Sequence, residues 1–453
     1  MYSNNVKFTS DVLFSVKNNK LLDPIGDAMK TFSGRTILKN GYVVDPKNNV
    51  ESVKDIAMVN GVIVDVADDI PCDKDDRTVD CEGFLVVPGL IDVHIHLGDL
   101  FEISTDPIGC AARAGVTMGL SPGAGNTYMA PALLAAEVDR GLPINLGVYL
   151  GAANVMGTQC TKEELIKYFR GELSEKDVFS KITRTAITGS TGNVIIGIKE
   201  HMGHFLITDE QVDEIYDICN EAKMVFLSHT QDPEHCERIV GLSKGRPVHL
   251  GHATAGGTGN DEAYAKESMQ RIVDQVKQNK ECTAEFVSSN LRPSRGHREC
   301  LIMGKAAQQV AYDALADKTV DIVISDGHGD ATMKGYGDSR DNVPAILELA
   351  ELGILSLKDS VATMTANPAA HLAKRTANPW FDKVGNLGVG SMGNVTVISR
   401  ENKLPMYVFV NGEMVSFENR SIRCGNGAGG WISRFGMTRR PGIGDLTMYK
   451  YGK

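Results

Sequence analysis

The chain has 453 residues, of which 42% are hydrophobic and 23% charged, a composition typical of a globular protein with one large domain and one or two attachments. Its net charge of −10 is spread along the chain and argues against nucleic acid or an anionic membrane as a partner. No apolar run approaches the ~20 residues that cross a bilayer, and the first residues are too polar for a signal peptide. Nine cysteines without a CxxC pair indicate reduced thiols, so we expect a cytoplasmic protein.

Both ends of the chain contain β-rich segments that flank a longer central region. Residues 35–85 alternate in polarity and contain Asn-Gly pairs, which are typical of tight turns between strands, and residues 380–425 show a second β-rich pattern. We predict that the two segments pair into one small β-sandwich domain. The N-terminal extension, 1–34, and the C-terminal tail, 426–453, fit neither part and are interpreted as surface loops, or as arms of a homo-oligomer.

The central region, 86–379, alternates short β-rich runs with amphipathic helical segments. The helical segment 208–222 opens with Thr208 and has Gln211 three residues later, the pattern of a capping box. Eight such units predict a (β/α)8 TIM barrel, a fold of the α/β class. The alternative, a doubly wound open sheet, would more often show a glycine-rich phosphate loop after the first strand, which "HIHLGDL" is not. The eight β-rich runs are FLVVPGLIDVHIH, VTMGLSP, INLGVYLG, NVIIGIK, MVFLSHT, PVHLGHA, CTAEFVSS and VDIVISD.

Polar side chains occur at the ends of five of these predicted strands. Each has a simple structural explanation alone: a hydrogen-bonded histidine, a salt-bridged lysine or an aspartate in a turn. The C-terminal ends of barrel strands meet at one mouth, however, so their coincidence predicts a metal site there. His249 lies three residues before His252 on the sixth strand, so its side chain faces the other way. We expect His249 to support the ligands or to pack in the interior. The predicted ligands are His94, His96, Lys199, His229, His252 and Asp326.

Several motifs together resemble the amidohydrolase superfamily over roughly residues 35–425. They are "PGLIDVHIHLG" on the first strand, the lysine closing the fourth, single histidines closing the fifth and sixth, "SDG" closing the eighth, and "TANPAAHLA" after the barrel. The resemblance is to binuclear members with a carbamylated lysine, such as urease, isoaspartyl dipeptidase and dihydroorotase. "GIKEHMGH" is similar to the first two, and lacks the tyrosine that a dihydropyrimidinase would place shortly after the lysine. Gly393-Asn394 stands where the family usually has Ala-Asp.

The resemblance implies a set of ligands and a mechanism. His94, His96 and Asp326 would hold the first metal, and His229 and His252 the second, with a CO2-derived carbamate on Lys199 bridging them. Two zinc ions are expected, with iron, manganese or nickel as alternatives. A hydroxide shared by the metals would attack the amide carbon, and Asp326 would serve as general base and then acid. The predicted substrate contacts are His201, the preferred helper and a catalytic candidate, then His204 and His328.

The loop after the seventh strand, "SSNLRPSRGHREC", is basic, and it either clamps a substrate carboxylate through Arg292 and Arg295 or is merely solvated. We therefore expect a small-molecule amide substrate, either cyclic or an N-acyl amino acid. Three alternatives remain open. A mononuclear nucleobase-type deaminase would not need Lys199 and would carry a Glu after the fifth strand, where Gln231 and its neighbours stand. A non-catalytic scaffold paralogue would usually have lost some ligands, whereas all six are present here. An esterase or lactonase could use the same site.

Overall fold

The computed structural model of the protein describes residues 34–97, 109–123, 126–173, 175–182, 195–201, 207–293, 303–328, 337–422 and 428–438. Its strands fall into two sheets, one of the barrel and one of a smaller domain. The strands are β1 Thr36–Asp45, β2 Val50–Val59, β3 Val62–Ala67, β4 Arg77–Asp80, β5 Leu85–Pro88, β6 Leu90–Asp92, β7 Val116–Ser121, β8 Asn145–Gly151, β9 Gly197–Glu200, β10 Val225–His229, β11 Val248–Gly251, β12 Cys282–Val287, β13 Ile322–Ile324, β14 Val395–Ser399, β15 Leu404–Val410, β16 Glu413–Phe417, β17 Arg420–Ser421, β18 Trp431–Ser433 and β19 Gly436–Thr438.

Helices separate most of the barrel strands, and local sequence explains where several begin. Thr208 and Gln211 form the predicted capping box, in which each side chain accepts a hydrogen bond from the other residue's backbone N–H. No helix within the described ranges combines the length and the apolarity needed to span a bilayer. The α-helices are α1 Met129–Arg140, α2 Ala152–Met156, α3 Lys162–Arg170, α4 Glu175–Ile182, α5 Asp209–Ala222, α6 Pro233–Ser243, α7 Glu262–Gln278, α8 Lys305–Ala316, α9 Asn342–Glu351, α10 Leu357–Ala362 and α11 Ala366–Thr376.

The barrel is built from β6 to β13, which pair in parallel with their sequence neighbours. The first and eighth strands meet just beyond their ends, where Asp326 N donates to His94 O at 2.9 Å and His96 N donates to Gly327 O at 3.0 Å. These bonds nearly close the barrel at the mouth where the predicted ligands lie. The predicted (β/α)8 barrel is confirmed.

The small domain is a sheet in which strands from both parts of the chain pair side by side. β14 pairs antiparallel with β5, so residues near 396 lie beside residues near 87. The turn between β2 and β3 has positive φ at Asn60 (52°) and Gly61 (79°), as a tight hairpin with an Asn-Gly pair requires. The predicted small β domain built from both chain ends is therefore confirmed, while the exact segment boundaries stay a prediction.

The predicted first barrel run contributes to both sheets. Its first half is β5 of the small domain and its second half is β6 of the barrel, with Gly89 between them. A Cβ atom on Gly89 would lie 2.3 Å from Thr117 Oγ1, so the close approach to β7 requires glycine at this step between the sheets.

A short strand of the C-terminal tail is inserted in the barrel wall. β18 pairs in parallel with the first half of β8, at Leu146 and Gly147, and Arg434 N donates to Ile195 O at 3.3 Å, just before β9. The second half of β8 pairs with β9 directly. The structure thus places residues 431–433 between two barrel strands, whereas the sequence suggested a surface loop or an inter-subunit arm for this tail.

Candidate metal centre

A cavity of about 200 Å³ opens at the C-terminal mouth of the barrel. All six predicted ligands line it, together with His201 and His328. His204 and Arg295, two further predicted substrate contacts, lie outside the described residues. The lining residues are His94, His96, Lys199, His201, His229, Gln231, His252, Ala255, Thr258, Asp326 and His328.

Three of the predicted ligands, which lie at the ends of the first and eighth strands, form a compact buried group. One potential ligand atom from each of His94, His96 and Asp326 lies within 4.8 Å of the others. The Oδ1 atom of Asp326 is 3.2 Å from the Nε2 atoms of both histidines. Across the described part of the chain, no other group of histidine, cysteine and carboxylate side chains meets this spacing. Two imidazoles and one carboxylate are a donor set that suits a divalent transition metal.

The other predicted ligands lie beside this group. The ring centroids of His229 and His252 are 4.5 Å apart, and those of His94 and His252 are 5.1 Å apart. The Nδ1 atoms of His229 and His252 are buried and have no hydrogen-bond partner among the described residues. A Cβ atom on Gly251 would lie 3.0 Å from Lys199 Nζ, so glycine leaves space around a lysine that is only 1% exposed. These nitrogens and this space fit a second cation and an enlarged lysine.

The electrostatic environment favours the neutral form of four histidines that line the cavity. Burial and the positive charge of Lys199 lower the pKa of His94, lower that of His201 to about 4 and lower that of His229 to about 3. Burial also holds the pKa of His252 well below its usual value. A neutral imidazole offers a lone pair to a cation, so the site is prepared for metal binding without proton release near neutral pH.

Asp326 is kept ionised beside these histidines. Burial alone would raise the pKa of this carboxyl, but its hydrogen bond with His96 Nε2, at 3.2 Å from Oδ1, acts against burial, and the pKa lies well below its usual range. Both Asp326 (φ 49°) and His252 (φ 39°) have left-handed backbone, which is costly for residues other than glycine. Such strain is typical of functional sites.

A buried carboxylate that the sequence analysis did not identify supports these ligands from β12. Glu285 accepts hydrogen bonds from His94 Nδ1, from His249 Nε2 at 3.0 Å and from His252 N at 3.2 Å. His249, predicted to support the site, therefore contacts Glu285 and does not line the cavity. The available signal was a glutamate inside the apolar run CTAEFVSS, since a buried carboxylate needs partners.

A second supporting carboxylate joins the first and eighth strands. Asp92 accepts hydrogen bonds from the backbone N–H groups of His94 and Ser325 and from Asn342 Nδ2 at 3.1 Å. Burial raises the pKa of Asp92 to about 7. Asp92 thereby fixes the chain on both sides of the mouth, next to the ligands at positions 94 and 326.

Gln231 is a cavity residue that the sequence analysis named only as a departure from a deaminase pattern. Its Oε1 atom accepts a hydrogen bond from His229 Nε2 at 3.1 Å. That bond leaves the Nδ1 atom of His229 as the nitrogen available to a cation. Thr258 also lines the cavity and was not predicted.

Arg292, a predicted substrate contact, is not among the residues that line the cavity. Its guanidinium pairs with both oxygens of Glu348, at 2.9 and 3.1 Å, and with Asp341. Glu348 and Asp341 thus neutralise the positive charge of Arg292, and the structure does not bring this side chain to the cavity.

Comparison with known proteins gives relatives over most of the chain. No family model matches. A dihydroorotase from Geobacter sp. (strain M21) is 25% identical over 395 residues, which are 80% of this chain and 89% of that protein.

Solved structures match over a similar extent. Dihydropyrimidinase from Brevibacillus agri NCHU1002 superposes with a TM-score of 0.64 at 16% identity, over 88% of this chain and 99% of that one. N-acyl-D-glutamate deacylase from Bordetella bronchiseptica gives a TM-score of 0.62 at 15% identity, over 86% and 98%. These structures share the barrel and the sheet domain. With the sequence relatives, they confirm the resemblance to the amidohydrolase superfamily noted above.

Proposed function

We propose that this chain is a binuclear metal-dependent hydrolase that cleaves the C–N bond of a cyclic amide, a ureide or an N-acyl amino acid. The observation that carries this proposal is the convergence of six ligand-type side chains, from the ends of five barrel strands, on one cavity. The relatives' names, dihydroorotase, dihydropyrimidinase and N-acyl-D-glutamate deacylase, support cyclic amides and N-acyl compounds as the substrate class.

We assign the ligands in two sets around Lys199. His94, His96 and Asp326 would hold one cation, and His229 and His252 the other. Lys199 would bridge them as a carbamate, because an ammonium repels a dication whereas a carbamate offers two oxygens and a negative charge. Zinc is the first choice of metal, with iron, manganese and nickel as alternatives. Such a pair of cations, when bound, lowers the pKa of water and polarises a carbonyl group.

The chain's own residues would then move the proton and hold the substrate. Asp326, ionised beside its histidine neighbours, would accept the proton of the attacking water and deliver it to the leaving nitrogen. His201, whose ring centroid lies 4.8 Å from that of His229, would contact the substrate carbonyl. His328, 5.0 Å from His96 by the same measure, is the second such candidate, and His204 and Arg295 stay predictions.

Metal analysis tests the binuclear assignment. Protein produced with zinc should contain about two ions per chain, and Lys199→Ala should lose tight binding of both. Short carboxylic acids should partly restore activity to Lys199→Ala, since they replace the bridging oxygens. Lys266→Ala, which removes an exposed lysine from α7, is the control and should keep both ions. One ion per chain would favour the mononuclear deaminase, and none would contradict the proposal.

A substrate panel tests the reaction class. Dihydroorotate, dihydropyrimidines, hydantoins, lactams, dipeptides and N-acyl amino acids, including N-acyl-D-glutamate, would be incubated with the zinc-loaded protein. We expect hydrolysis of at least one amide or ureide, and its loss in Lys199→Ala. Activity confined to esters and lactones, or to nucleobase deamination, would contradict the proposal.

Other properties follow from the sequence alone. We propose a small-molecule substrate, a cytoplasmic location, assembly as a homo-oligomer, and no nucleic-acid or membrane partner. The cavity of about 200 Å³ supports a small-molecule substrate, and the acidic net charge of −10 supports the absence of a nucleic-acid or anionic-membrane partner.

A further inference from the structure

We propose that Glu285 is a positioning residue that couples the two halves of the metal centre, because it holds one ligand of each proposed cation. The inference rests on the binuclear site proposed above. Glu285 is not among the residues that line the cavity, so its effect would pass through His94 and His252.

Glu285 collects hydrogen bonds from two other parts of the barrel. Its side chain is fully buried on β12. Its Oε1 atom accepts from His94 Nδ1 and from the backbone N–H of His252, and its Oε2 atom accepts from His249 Nε2. His94 follows β6, which is separated from β12 by β13 in the barrel, so this carboxylate reaches past its neighbouring strand.

The contact with His94 fixes which nitrogen faces the metal site. Because Nδ1 donates to Glu285, Nε2 carries the free lone pair, and Nε2 is the atom that lies 3.2 Å from Asp326 Oδ1. A carboxylate behind a metal-binding imidazole orients the ring and makes it a stronger ligand.

The contact with His252 fixes the backbone that presents a ligand of the second proposed cation. His252 has φ 39° and ψ 43°, and its strained turn is held by the bond from its N–H to Glu285 and by Ala255 N donating to His252 O at 2.8 Å. Strained positions persist only where the surroundings hold them. Loss of the Glu285 acceptor would release the turn that presents His252.

His249 anchors the carboxylate itself. Besides donating to Glu285, His249 lies with Nδ1 2.8 Å from Thr283 Oγ1, and its ring packs on His371 at 4.3 Å between centroids. The Glu285 side chain is therefore fixed from the side opposite to the ligands, and it can transmit a precise position to both.

Glu285→Gln tests this coupling with little change in shape. A glutamine has one oxygen in place of two and cannot accept all three bonds. We expect the apparent affinity for both zinc ions to fall about 10- to 100-fold, measured by competition with a chromophoric chelator. Asp55→Asn is the control: Asp55 lies on β2 of the small domain, is 1% exposed, and accepts hydrogen bonds from Asn40 N and Ile70 N, both at 2.8 Å. The control variant should leave the affinities for both zinc ions within about threefold of wild type, because the replaced side chain orients none of the proposed ligands.

The outcomes separate this inference from the proposed function. Wild type with two ions, and Glu285→Gln weakened at one ion or at neither, would overturn the coupling and leave the binuclear site standing. Wild type that never binds two ions would overturn the proposed function and the coupling with it. Circular dichroism of the metal-free proteins checks that each variant folds.

A wild-type measurement keeps the inference falsifiable if Glu285→Gln does not fold. The bond to Glu285 predicts a slowly exchanging imidazole N–H proton in the NMR spectrum of metal-free protein. That signal should disappear in His94→Asn. Its absence from the wild-type spectrum would overturn the proposal.

Discussion

Neutral histidines in a buried site affect stability as well as metal binding. The pKa values of His94, His201, His229 and His252 are lowered, first by burial and, for the first three, next by Lys199. In the unfolded chain the same side chains titrate near pH 6.5. The metal-free protein therefore resists protonation at positions where the unfolded chain accepts protons.

The pH dependence of folding follows from this difference. Below about pH 6.5 the unfolded state binds more protons than the folded state, so the free energy of unfolding should fall as the pH drops from 7 to 5. Each such histidine contributes up to about 1.4 kcal/mol per pH unit. Urea unfolding of metal-free protein at pH 7, 6 and 5 measures the slope.

Buried carboxyls oppose this trend, because burial raises the pKa of Asp92 and that of Asp321. Asp92, with a pKa raised by burial to about 7, takes up a proton in the folded state first and so stabilises the protein as the pH falls. These carboxyls do not offset the four histidines of the site together with His371, whose pKa burial also holds well below its usual value. His201→Asn should make the slope shallower, because His201, with its pKa near 4, no longer contributes. Stability that is unchanged or higher at pH 5 would contradict this account.

The residues of the site differ in how well sequence predicts them. The ligand positions follow from strand ends, because the barrel brings those ends together whatever the loops do. Glu285 could not be assigned, because its partner His94 is 191 positions away and the bond depends on the barrel's closure. The partner of Arg292, predicted either to clamp a substrate carboxylate or to be solvated, could not be foreseen for the same reason: Glu348, which pairs with it, lies 56 positions later.

At the scale of elements, the end of β11 shows how a strand makes space for chemistry. Gly251 lies between Leu250 and the ligand His252, and a Cβ atom there would lie 3.0 Å from Lys199 Nζ and 3.1 Å from His94 Cε1. Any larger side chain would compete with a modified lysine for this space.

Gly251→Ala should therefore reduce metal binding more than folding. We expect fewer than two zinc ions per chain and at least a tenfold loss of hydrolysis, with the melting temperature of the metal-free protein little changed. Gly241→Ala, in α6, is the control: nothing lies within 4 Å of its Cβ, and alanine is the better helix former by about 1 kcal/mol. Equal metal content in both variants would contradict the role given to this space.

The elements themselves were largely predictable, with two informative exceptions. β-rich runs of seven to thirteen residues marked the barrel strands, because those strands are buried on both faces. The run that contains β5 and β6 was read as one strand, since polarity does not show that Gly89 passes the chain between two sheets. β18 has three residues, too few for a recognisable pattern.

At the scale of the whole molecule, distant segments of the chain hold one another. Asn411, in the turn after β15 of the small domain, donates through Nδ2 to Asn145 Oδ1 of β8 and to Ala428 O, both at 2.8 Å. Ala428 leads into β18, which lies in the barrel wall beside β8. The small domain, the barrel and the C-terminal hairpin are thus joined at one place, so the wall between β8 and β9 depends on residues near 430.

Trp431 offers a direct test of that dependence. It is 1% exposed, the largest of the fully buried side chains in the described part of the chain, and it pairs with Leu146 in the barrel wall. Trp431→Ala should lower the free energy of unfolding by about 3–5 kcal/mol, because it removes a large buried side chain and leaves a cavity. Phe435→Ala, four residues on in the same hairpin, removes a ring that is 54% exposed and stacked on Arg434, and should cost under about 1 kcal/mol. Urea unfolding of both variants measures the difference. Equal and small changes in the free energy of unfolding would mean that the packing of the inserted strand contributes little to the stability of the barrel.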